Sequence, residues 1–257
     1  MQNQTVVLIG VGEMGGVFAK AVLRAGRTVV PINRGEATDE SVSSAPPELV
    51  LVTVGEADLH PVLEGLPANW KSRVGLIQNE LLPRDWERHG IADPTVAVAW
   101  FEKKPGQDVK VVVPTPVSGP SAGLVSDALS GIGIDAGVVS AADLPIELVI
   151  KNCYILTVNI AGLREGGTVG ELWDDHHDLT AAVADEVLAI QEHLLGNPFD
   201  RAAAVDGMAR AIAGDPEHKA TGRSAPARLE RAVDQAAAAG ISVPTLAAIQ
   251  HETMETA

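Results

Sequence analysis

Cysteine, positive charge and long apolar runs are all scarce in this sequence of 257 residues. The single cysteine, Cys153, excludes an internal disulfide framework and a cysteine-based metal site, and it fits a reducing compartment. No run of 18 apolar residues occurs, and the first residues lead into a strand pattern without a basic segment, so we expect neither a membrane span nor secretion. These features predict a cytoplasmic protein.

Basic residues are outnumbered by acidic ones, 19 against 34, which gives a formal net charge of −15. Nucleic acids and anionic membranes both bind basic surfaces, so we expect neither as a partner. A small-molecule partner remains, and an acidic chain that binds an anionic ligand must concentrate positive charge locally. The sequence leaves open whether the protein forms a homodimer.

A glycine cluster follows the first apolar run of the chain. Gly10, Gly12 and Gly15 have the G-x-G-x-x-G spacing, after a strand-like run at 6–9 and before a helical pattern. In dinucleotide-binding folds these glycines permit a tight turn, close approach of the pyrophosphate and close helix packing, while the helix N-terminus offers N–H groups to the phosphates. The junction predicts a dinucleotide site, with an ordinary βα turn as the alternative. The predicted cofactor contacts are Gly10, Val11, Gly12, Glu13, Met14 and Gly15.

The end of the second predicted strand indicates which dinucleotide is bound. An NAD site usually presents an acidic residue there to the ribose 2′-OH, whereas this strand ends at Asn33 and Arg34. A guanidinium suits a 2′-phosphate because its planar fork donates two charge-assisted hydrogen bonds. We find no carboxylate at the strand end itself to compete for Arg34. Asn33 and Arg34 therefore predict NADPH, although the nearby Glu36 leaves open an ordinary solvated loop arginine.

Strand-like runs alternate with helical patterns through the first half, at 5–10, 28–33, 48–54, 73–78 and 95–101, with further strands at 109–117 and 134–140. This alternation is typical of βαβ units and a mostly parallel sheet. Only thirteen residues lie between Arg34 and Glu48, so the first mononucleotide-binding half should be abbreviated. Beyond about residue 140 only helical patterns occur. The predicted fold class is α/β, with a Rossmann-type NADP-binding domain at 1–142, an all-helical substrate or dimerisation domain at 143–257, and the substrate between them.

One lysine interrupts an apolar helical pattern in the second half of the chain. Lys151 follows the apolar run at 148–150, so its ammonium either extends to water or lies in a cleft, where it can give a proton to a carbonyl oxygen. Asn159 lies eight residues further on, about 80° round an ideal helix, so both side chains can project toward the same region.

Two adjacent histidines, His176 and His177, lie among three aspartates. Neighbouring residues point about 100° apart on a helix, and helical metal sites prefer i, i+4 pairs. We therefore predict a helix start here, where acidic residues favour the dipole, and no metal site.

The sequence resembles the ketopantoate reductases (2-dehydropantoate 2-reductases) over nearly its whole length. The resemblance is carried by the glycine fingerprint with an arginine after the second strand, by LIQNELL around Asn79, and by KNCYILTVNIAGLREGGTVGEL, which contains Lys151, Asn159 and Gly170-Glu171-Leu172. The later GRSAPARLERAVDQAAAAGISVP is similar to the last helix of that family and its ending.

The resemblance implies that Lys151 is the general acid, that Asn79 contacts cofactor and substrate near the reacting carbon, and that Asn159 helps to hold the substrate. It also implies that Val54 and Gly55 lie beside the cofactor, and that the helical domain is like the C-terminal domain of 6-phosphogluconate dehydrogenase.

The chain departs from the pattern of the family at several positions. Ile155 replaces an asparagine four residues after the lysine, Glu80 replaces a glycine, and Gly55 replaces a frequent lysine. The substrate-gripping serine and glutamate of the family have no clear counterpart at 215–231, where the expected substitutes, each equally suited to a cap or a surface position, are Thr221, Ser224 and Glu230.

These departures predict a changed substrate. We expect an NADPH-dependent reductase of a small 2-oxo acid. The alternatives are the same fold reducing another carbonyl or an imine, and a nucleotide-binding protein without catalysis.

Overall fold

The computed structural model of the chain describes residues 4–36 and 46–255. The chain divides into two compact units, Met1–Glu147 and Leu148–Ala257. This division lies close to the domain boundary that the sequence predicts at 142/143.

The first unit contains a seven-stranded sheet and a separate two-stranded one, and the sheet order among the described strands is β2-β1-β3-β4-β5-β8-β9. The strands are β1 (Thr5–Ile9), β2 (Thr28–Ile32), β3 (Leu49–Val52), β4 (Val74–Leu76), β5 (Thr95–Ala97), β6 (Phe101–Glu102), β7 (Lys110–Val111), β8 (Thr115–Ser118) and β9 (Ala136–Val138). All neighbouring pairs of the large sheet are parallel except β5 with β8. The prediction of an α/β fold with a mostly parallel sheet is confirmed.

The central strands are buried on both faces, which explains their continuous apolar sequence. Residues 6–9 of β1 and 49–52 of β3 are almost completely buried. Phe18 and Val22 of the following helix pack on one face of the sheet, in a core that includes Val6 and Leu8. The glycine cluster therefore follows an inner strand that is packed on both faces.

Two predicted strands are each divided in the structure. The run at 95–101 forms β5 and β6, and the run at 109–117 forms β7 and β8, with β6 and β7 paired as an antiparallel ladder outside the main sheet. Pro114 lies between β7 and β8 and has no N–H to donate, so the run does not continue as one strand. The prediction of single strands was wrong at these two places.

The predicted abbreviation of the first half of the nucleotide-binding unit concerns residues 35–47. Most of them, 37–45, lie outside the described residues. The next described strand, β3, pairs with β1 on the side opposite β2.

The helices of the first unit are α1 (Glu13–Arg24), α2 (Leu59–Glu64), α3 (Pro83–Glu87) and α4 (Ala122–Ser130). The helices that follow are α5 (Leu144–Glu165), α6 (Val169–Asp174), α7 (His177–Leu195), α8 (Arg201–Gly214), α9 (Ala225–Ala239) and α10 (Pro244–Glu255). Apart from one isolated bridge between Thr168 and Lys219, the described part of the second unit has no β pairing. The prediction of a helical C-terminal region is confirmed.

Helix α5 is long and apolar enough to cross a membrane by length and composition alone, with a mean hydropathy of 1.4 over its most apolar window. That window is 72% buried inside the protein, as in the core helix of a globular unit. Cys153 lies on this helix and is completely buried, and burial raises the pKa of its thiol to about 12. The thiolate is therefore scarce, and Cys153 is a packing residue.

Candidate functional site

The predicted glycine loop connects β1 to α1. Gly10 has a φ of +93°, a left-handed conformation that favours glycine, and its N–H donates to the carbonyl of Ile32 at 2.8 Å. A Cβ at Gly10 would lie 2.7 Å from Cγ1 of Val54. The first glycine is therefore required both by the turn and by the close approach of the segment after β3.

Gly15 allows α1 to pack directly on this turn. A Cβ at Gly15 would lie 2.3 Å from the carbonyl oxygen of Gly10 and 2.8 Å from Oγ1 of Thr53. The Thr53 hydroxyl lies 3.1 Å from the carbonyl oxygen of Ile9 and 2.7 Å from that of Gly10, within donating distance of both. Thr53 fixes the loop from the end of β3. Its position directly after the apolar run of β3 was the signal that the sequence offered for it.

Gly12 lies at the open side of the loop. It is the N-cap of α1, no side chain caps the helix, and a Cβ added at Gly12 would have no atom within 4 Å. The exposed loop therefore leaves space next to uncapped N–H groups at a positive helix end, which is the arrangement that binds phosphate. The half-buried side chain of Met14 packs against the core, and its backbone belongs to the first turn of α1.

An acidic residue stands at the start of this helix. Glu13 lies in the first turn of α1, and its Oε2 is 3.3 Å from Nζ of Lys103. Val11, Gly12 and Glu13 also line one edge of a cleft of about 710 Å³, whose other walls come from α1, residues 103–111 and residues 132–134. Arg34 and Asn79 do not line this cleft.

Arg34 has a carboxylate partner that the sequence did not reveal. Its Nη2 lies 2.5 Å from Oδ2 of Asp58, and the two side chains are 86% and 47% exposed. Asp58 is the last residue of a short 3-10 helix, Glu56–Asp58, which begins after Gly55. No carboxylate stands at the strand end, as the sequence indicates, and the competitor for Arg34 comes instead from the segment after β3.

The segment around Asn79 is tied to the same neighbouring loop. Nε2 of Gln78 donates to the carbonyl oxygens of Val52 and Val54, at 2.8 and 3.2 Å. Nδ2 of Asn79 donates to Oε1 of Glu56 at 3.0 Å. Gln78, which is buried, thus positions Asn79 beside the end of β3, a role that was not predicted from the sequence.

Glu80 departs from the glycine of the family in side chain but not in backbone conformation. Its φ is +61°, and it is the one non-glycine residue with positive φ in the described part of the chain. The backbone thus has here the conformation that a glycine at this position would favour.

Lys151 lies on α5 and is half-buried. Its Nζ is 5.9 Å from the centre of the Tyr154 ring, within the range of a cation–π contact. Ile155, one turn further along, is also half-buried. The ammonium is therefore held near an aromatic face with an apolar neighbour on the next turn.

Asn159 is buried and both ends of its amide have partners inside the protein. Its Nδ2 donates to the carbonyl of Ala220 at 3.0 Å, and its Oδ1 accepts from Nη1 of Arg228 at 2.7 Å. Arg228, on α9, is only 7% exposed. Arg228 was not predicted from the sequence, although helical spacing places it on the same face as the buried Ala225, Leu229 and Ala232.

The three predicted substitutes for the missing substrate contacts lie in different surroundings. Thr221 is half-buried, whereas Ser224 and Glu230 are exposed. Ser224 is the N-cap residue of α9 but makes no capping hydrogen bond through its side chain. Glu230 follows Arg228 by two residues on a helix, about 200° round, so it faces away from Asn159.

The Gly-Glu-Leu segment has a structural role. Glu171 closes a capping box with Thr168 at the start of α6, with hydrogen bonds of 2.8 and 3.2 Å. A Cβ on Gly170 would lie 3.0 Å from the carbonyl oxygen of Pro216, so glycine allows α6 to pack closely on this segment.

His176 and His177 begin α7, as predicted. His176 pairs with Glu165 at 3.3 Å, and the His177 ring stacks edge-on against Trp173. Within residues 4–36 and 46–255, no group of three or more His, Cys, Asp or Glu side chains is arranged to hold a metal ion.

No protein-family model matches the chain, and no curated protein matches its sequence. Solved structures do match it. A 2-dehydropantoate 2-reductase from Methylococcus capsulatus is 13% identical, with a TM-score of 0.73 over 98% of this chain and 96% of that chain. A dimeric ketopantoate reductase from Staphylococcus aureus is 15% identical, with a TM-score of 0.67 over 98% of both chains.

A D-mandelate dehydrogenase whose ternary structure contains NADH and anilino(oxo)acetate is similar to the same extent. It is 13% identical, with a TM-score of 0.70 over 98% of this chain and 97% of that chain. At such identities the likeness establishes the fold. The chain therefore has the fold of the ketopantoate reductases, as its glycine fingerprint and lysine-bearing helix predicted.

Proposed function

We propose that this protein is a reductase that uses NADPH to reduce the carbonyl group of a small 2-oxo acid. The observation that carries the proposal is the glycine loop, whose backbone leaves room for a pyrophosphate at an uncapped helix start. The fold adds support, since reductases of 2-oxo acids occur among the structures that share it.

The residues of the loop fit a dinucleotide. Gly12 offers open space and α1 offers uncapped N–H groups, so the pyrophosphate would bind there. Arg34 would bind the 2′-phosphate, and Asn79 would lie near the nicotinamide. The coenzyme, when bound, supplies the hydride.

Lys151 would give the proton. Reduction of a carbonyl adds a hydride to carbon and a proton to oxygen, and the ammonium donates that proton as negative charge develops on the oxygen. Its half-buried position near Tyr154 restricts where the ammonium can lie while leaving it accessible.

The second unit also suggests what kind of substrate fits. Ile155 presents an apolar side chain next to Lys151, where the family has an asparagine, and the amide of Asn159 is already hydrogen-bonded to Ala220 and Arg228. These two features favour a 2-oxo acid with an apolar substituent over one with a hydroxyl. They also favour the second candidate, a reductase of the same fold for another carbonyl or an imine.

The test of the function is oxidation of NADPH by the purified protein over a panel of 2-oxo acids, ketones and imines. Because one structural neighbour contains anilino(oxo)acetate, which carries an aromatic ring, the panel includes 2-oxo acids with an aromatic substituent. Turnover of 2-oxo acids supports the proposal, and turnover of ketones or imines alone supports the second candidate. Coenzyme binding without turnover of any compound indicates a nucleotide-binding protein.

Lys151 is tested by Lys151→Met, which keeps the apolar stem but removes the proton donor. We expect kcat to fall by about 10²–10⁴, the usual contribution of a general acid, with coenzyme affinity almost unchanged. Lys219→Met, at an exposed lysine of the same unit, is the matched control. Full turnover by Lys151→Met would exclude Lys151 as the acid, because a merely snorkelling lysine tolerates methionine.

A further inference from the structure

The 3-10 helix Glu56–Asp58 places a carboxylate on the arginine that is expected to read the coenzyme. Oδ2 of Asp58 lies 2.5 Å from Nη2 of Arg34. Among the described residues that adjoin Arg34 in sequence, the acid is Glu36, and its Oε2 accepts a hydrogen bond from the backbone N–H of Asn33 at 2.5 Å. Asp58 is therefore the described carboxylate that forms an ion pair with Arg34.

We propose that Asp58 sets the coenzyme preference of this site. By neutralising the charge of Arg34, Asp58 reduces the preference for NADPH over NADH. The inference rests on the proposed function, which places the adenosine ribose at Arg34. With the ion pair formed, the net charge of the pair is zero, and a dianionic 2′-phosphate meets repulsion from Asp58 together with attraction to the guanidinium. A ribose 2′-OH meets no such repulsion and can donate a hydrogen bond to a carboxylate.

The geometry makes this competition reversible. Arg34 is 86% exposed and Asp58 is 47% exposed, so their ion pair is surrounded by water and is easily separated. Water also screens the repulsion between Asp58 and the phosphate, so the effect on affinity is moderate. We expect it to be about three- to tenfold in Kd, larger at low ionic strength and smaller at high.

The experiment measures the dissociation constants of NADPH and NADH by calorimetric titration of the purified full chain and of Asp58→Asn. Asparagine keeps the size and the hydrogen-bonding oxygen but removes the charge. We expect NADPH to bind about three- to tenfold more tightly to Asp58→Asn, while NADH binds equally well or more weakly. Asp93→Asn is the matched control, because Asp93 is exposed and precedes β5, at the end of the parallel strands opposite to Asp58.

An unchanged ratio of the two dissociation constants in Asp58→Asn, or an equal change in Asp93→Asn, would overturn this inference and leave the proposed function intact. Weaker NADPH binding by Asp58→Asn would also overturn it, because Asp58 would then serve to orient Arg34. If the unaltered chain bound neither coenzyme, the proposed function would fail, and this inference with it.

Discussion

Two glycines of the loop, Gly12 and Gly15, should respond to the same substitution in opposite ways. A Cβ at Gly12 meets no atom within 4 Å, whereas a Cβ at Gly15 would lie 2.3 Å from a backbone oxygen and 2.8 Å from a hydroxyl. Gly12→Ala should therefore fold normally and lose coenzyme binding. Gly15→Ala should lose stability first.

The magnitudes follow from these distances. Gly12 has a φ of −87°, which alanine adopts freely. Replacing a glycine N-cap by alanine lowers the free energy of unfolding, whereas the reduced freedom of the unfolded chain raises it, and the two effects should cancel to within about 1 kcal/mol. At Gly15 the obstacle is the carbonyl of Gly10, which cannot rotate away as a side chain does. Overpacking typically costs about 1–3 kcal/mol, and we expect the upper end of this range here because α1 must move off the turn.

For Gly12→Ala, a methyl group in the space expected for the pyrophosphate should weaken coenzyme binding by about ten- to a hundredfold, or roughly 1.4–2.7 kcal/mol. Urea denaturation measures the stability of each variant, and titration with NADPH and NADH measures binding. Gly123→Ala is the control, because Gly123 lies in α4 and a Cβ there also meets no atom within 4 Å. Unchanged coenzyme affinity in Gly12→Ala would mean that the loop is an ordinary βα turn, and normal stability of Gly15→Ala would refute the packing argument.

Two further predictions concern the rest of the first unit. Glu80→Gly should be about 1 kcal/mol more stable than Glu80→Ala in urea denaturation, because a φ of +61° costs free energy for alanine but not for glycine. Equal stabilities of the two variants would mean that the backbone at position 80 is not strained. His60 and His89, whose ring nitrogens lie 3.1 Å apart, have pKa values lowered mainly by burial and by the positive charge of Arg88. These two histidines therefore bind protons more readily in the unfolded chain than in the folded one near neutral pH. The free energy of unfolding should fall as the pH drops from above about 6.5 toward the lowered pKa values of the folded state. The decrease should be less than about 1 kcal/mol, since the two rings are partly exposed. A double His60→Gln, His89→Gln variant should flatten this dependence, and an unchanged slope would contradict the assignment.

The glycine loop could be predicted from the sequence because its determinants are local. The turn at Gly10, the packing at Gly15 and the start of α1 involve residues within a few positions of one another, next to a strand buried on both faces. An apolar run of this length, followed by glycines and then a helical period, has few other solutions. The helical character of the second unit was predictable for the same reason.

The division of the run at 95–101 could not be predicted, because the local pattern does not specify the partner strand. Residues 95–101 are apolar enough for one strand, yet β5 lies in the main sheet and β6 pairs with β7 outside it. Which of these pairings forms depends on segments that are distant in sequence. In the run at 109–117, by contrast, the prolines indicated locally that a single strand would not form, since proline cannot donate a hydrogen bond to a neighbouring strand.

The polar contacts of the candidate site also join residues that are distant in sequence, and they affect the chemistry that the site can perform. Arg34 and Asp58 are 24 residues apart, and Asn159 and Arg228 are 69 apart. In both pairs the sequence identified the residue expected to bind a ligand and missed the side chain that holds it. An arginine alone predicts selection of a 2′-phosphate, whereas an arginine paired with a carboxylate predicts a weaker selection. An asparagine alone predicts a substrate contact, whereas an asparagine between a carbonyl and a buried guanidinium is first of all a support for helix packing. Under the proposed function, we therefore expect the coenzyme preference and the substrate to depend on these partners as well as on the motif residues.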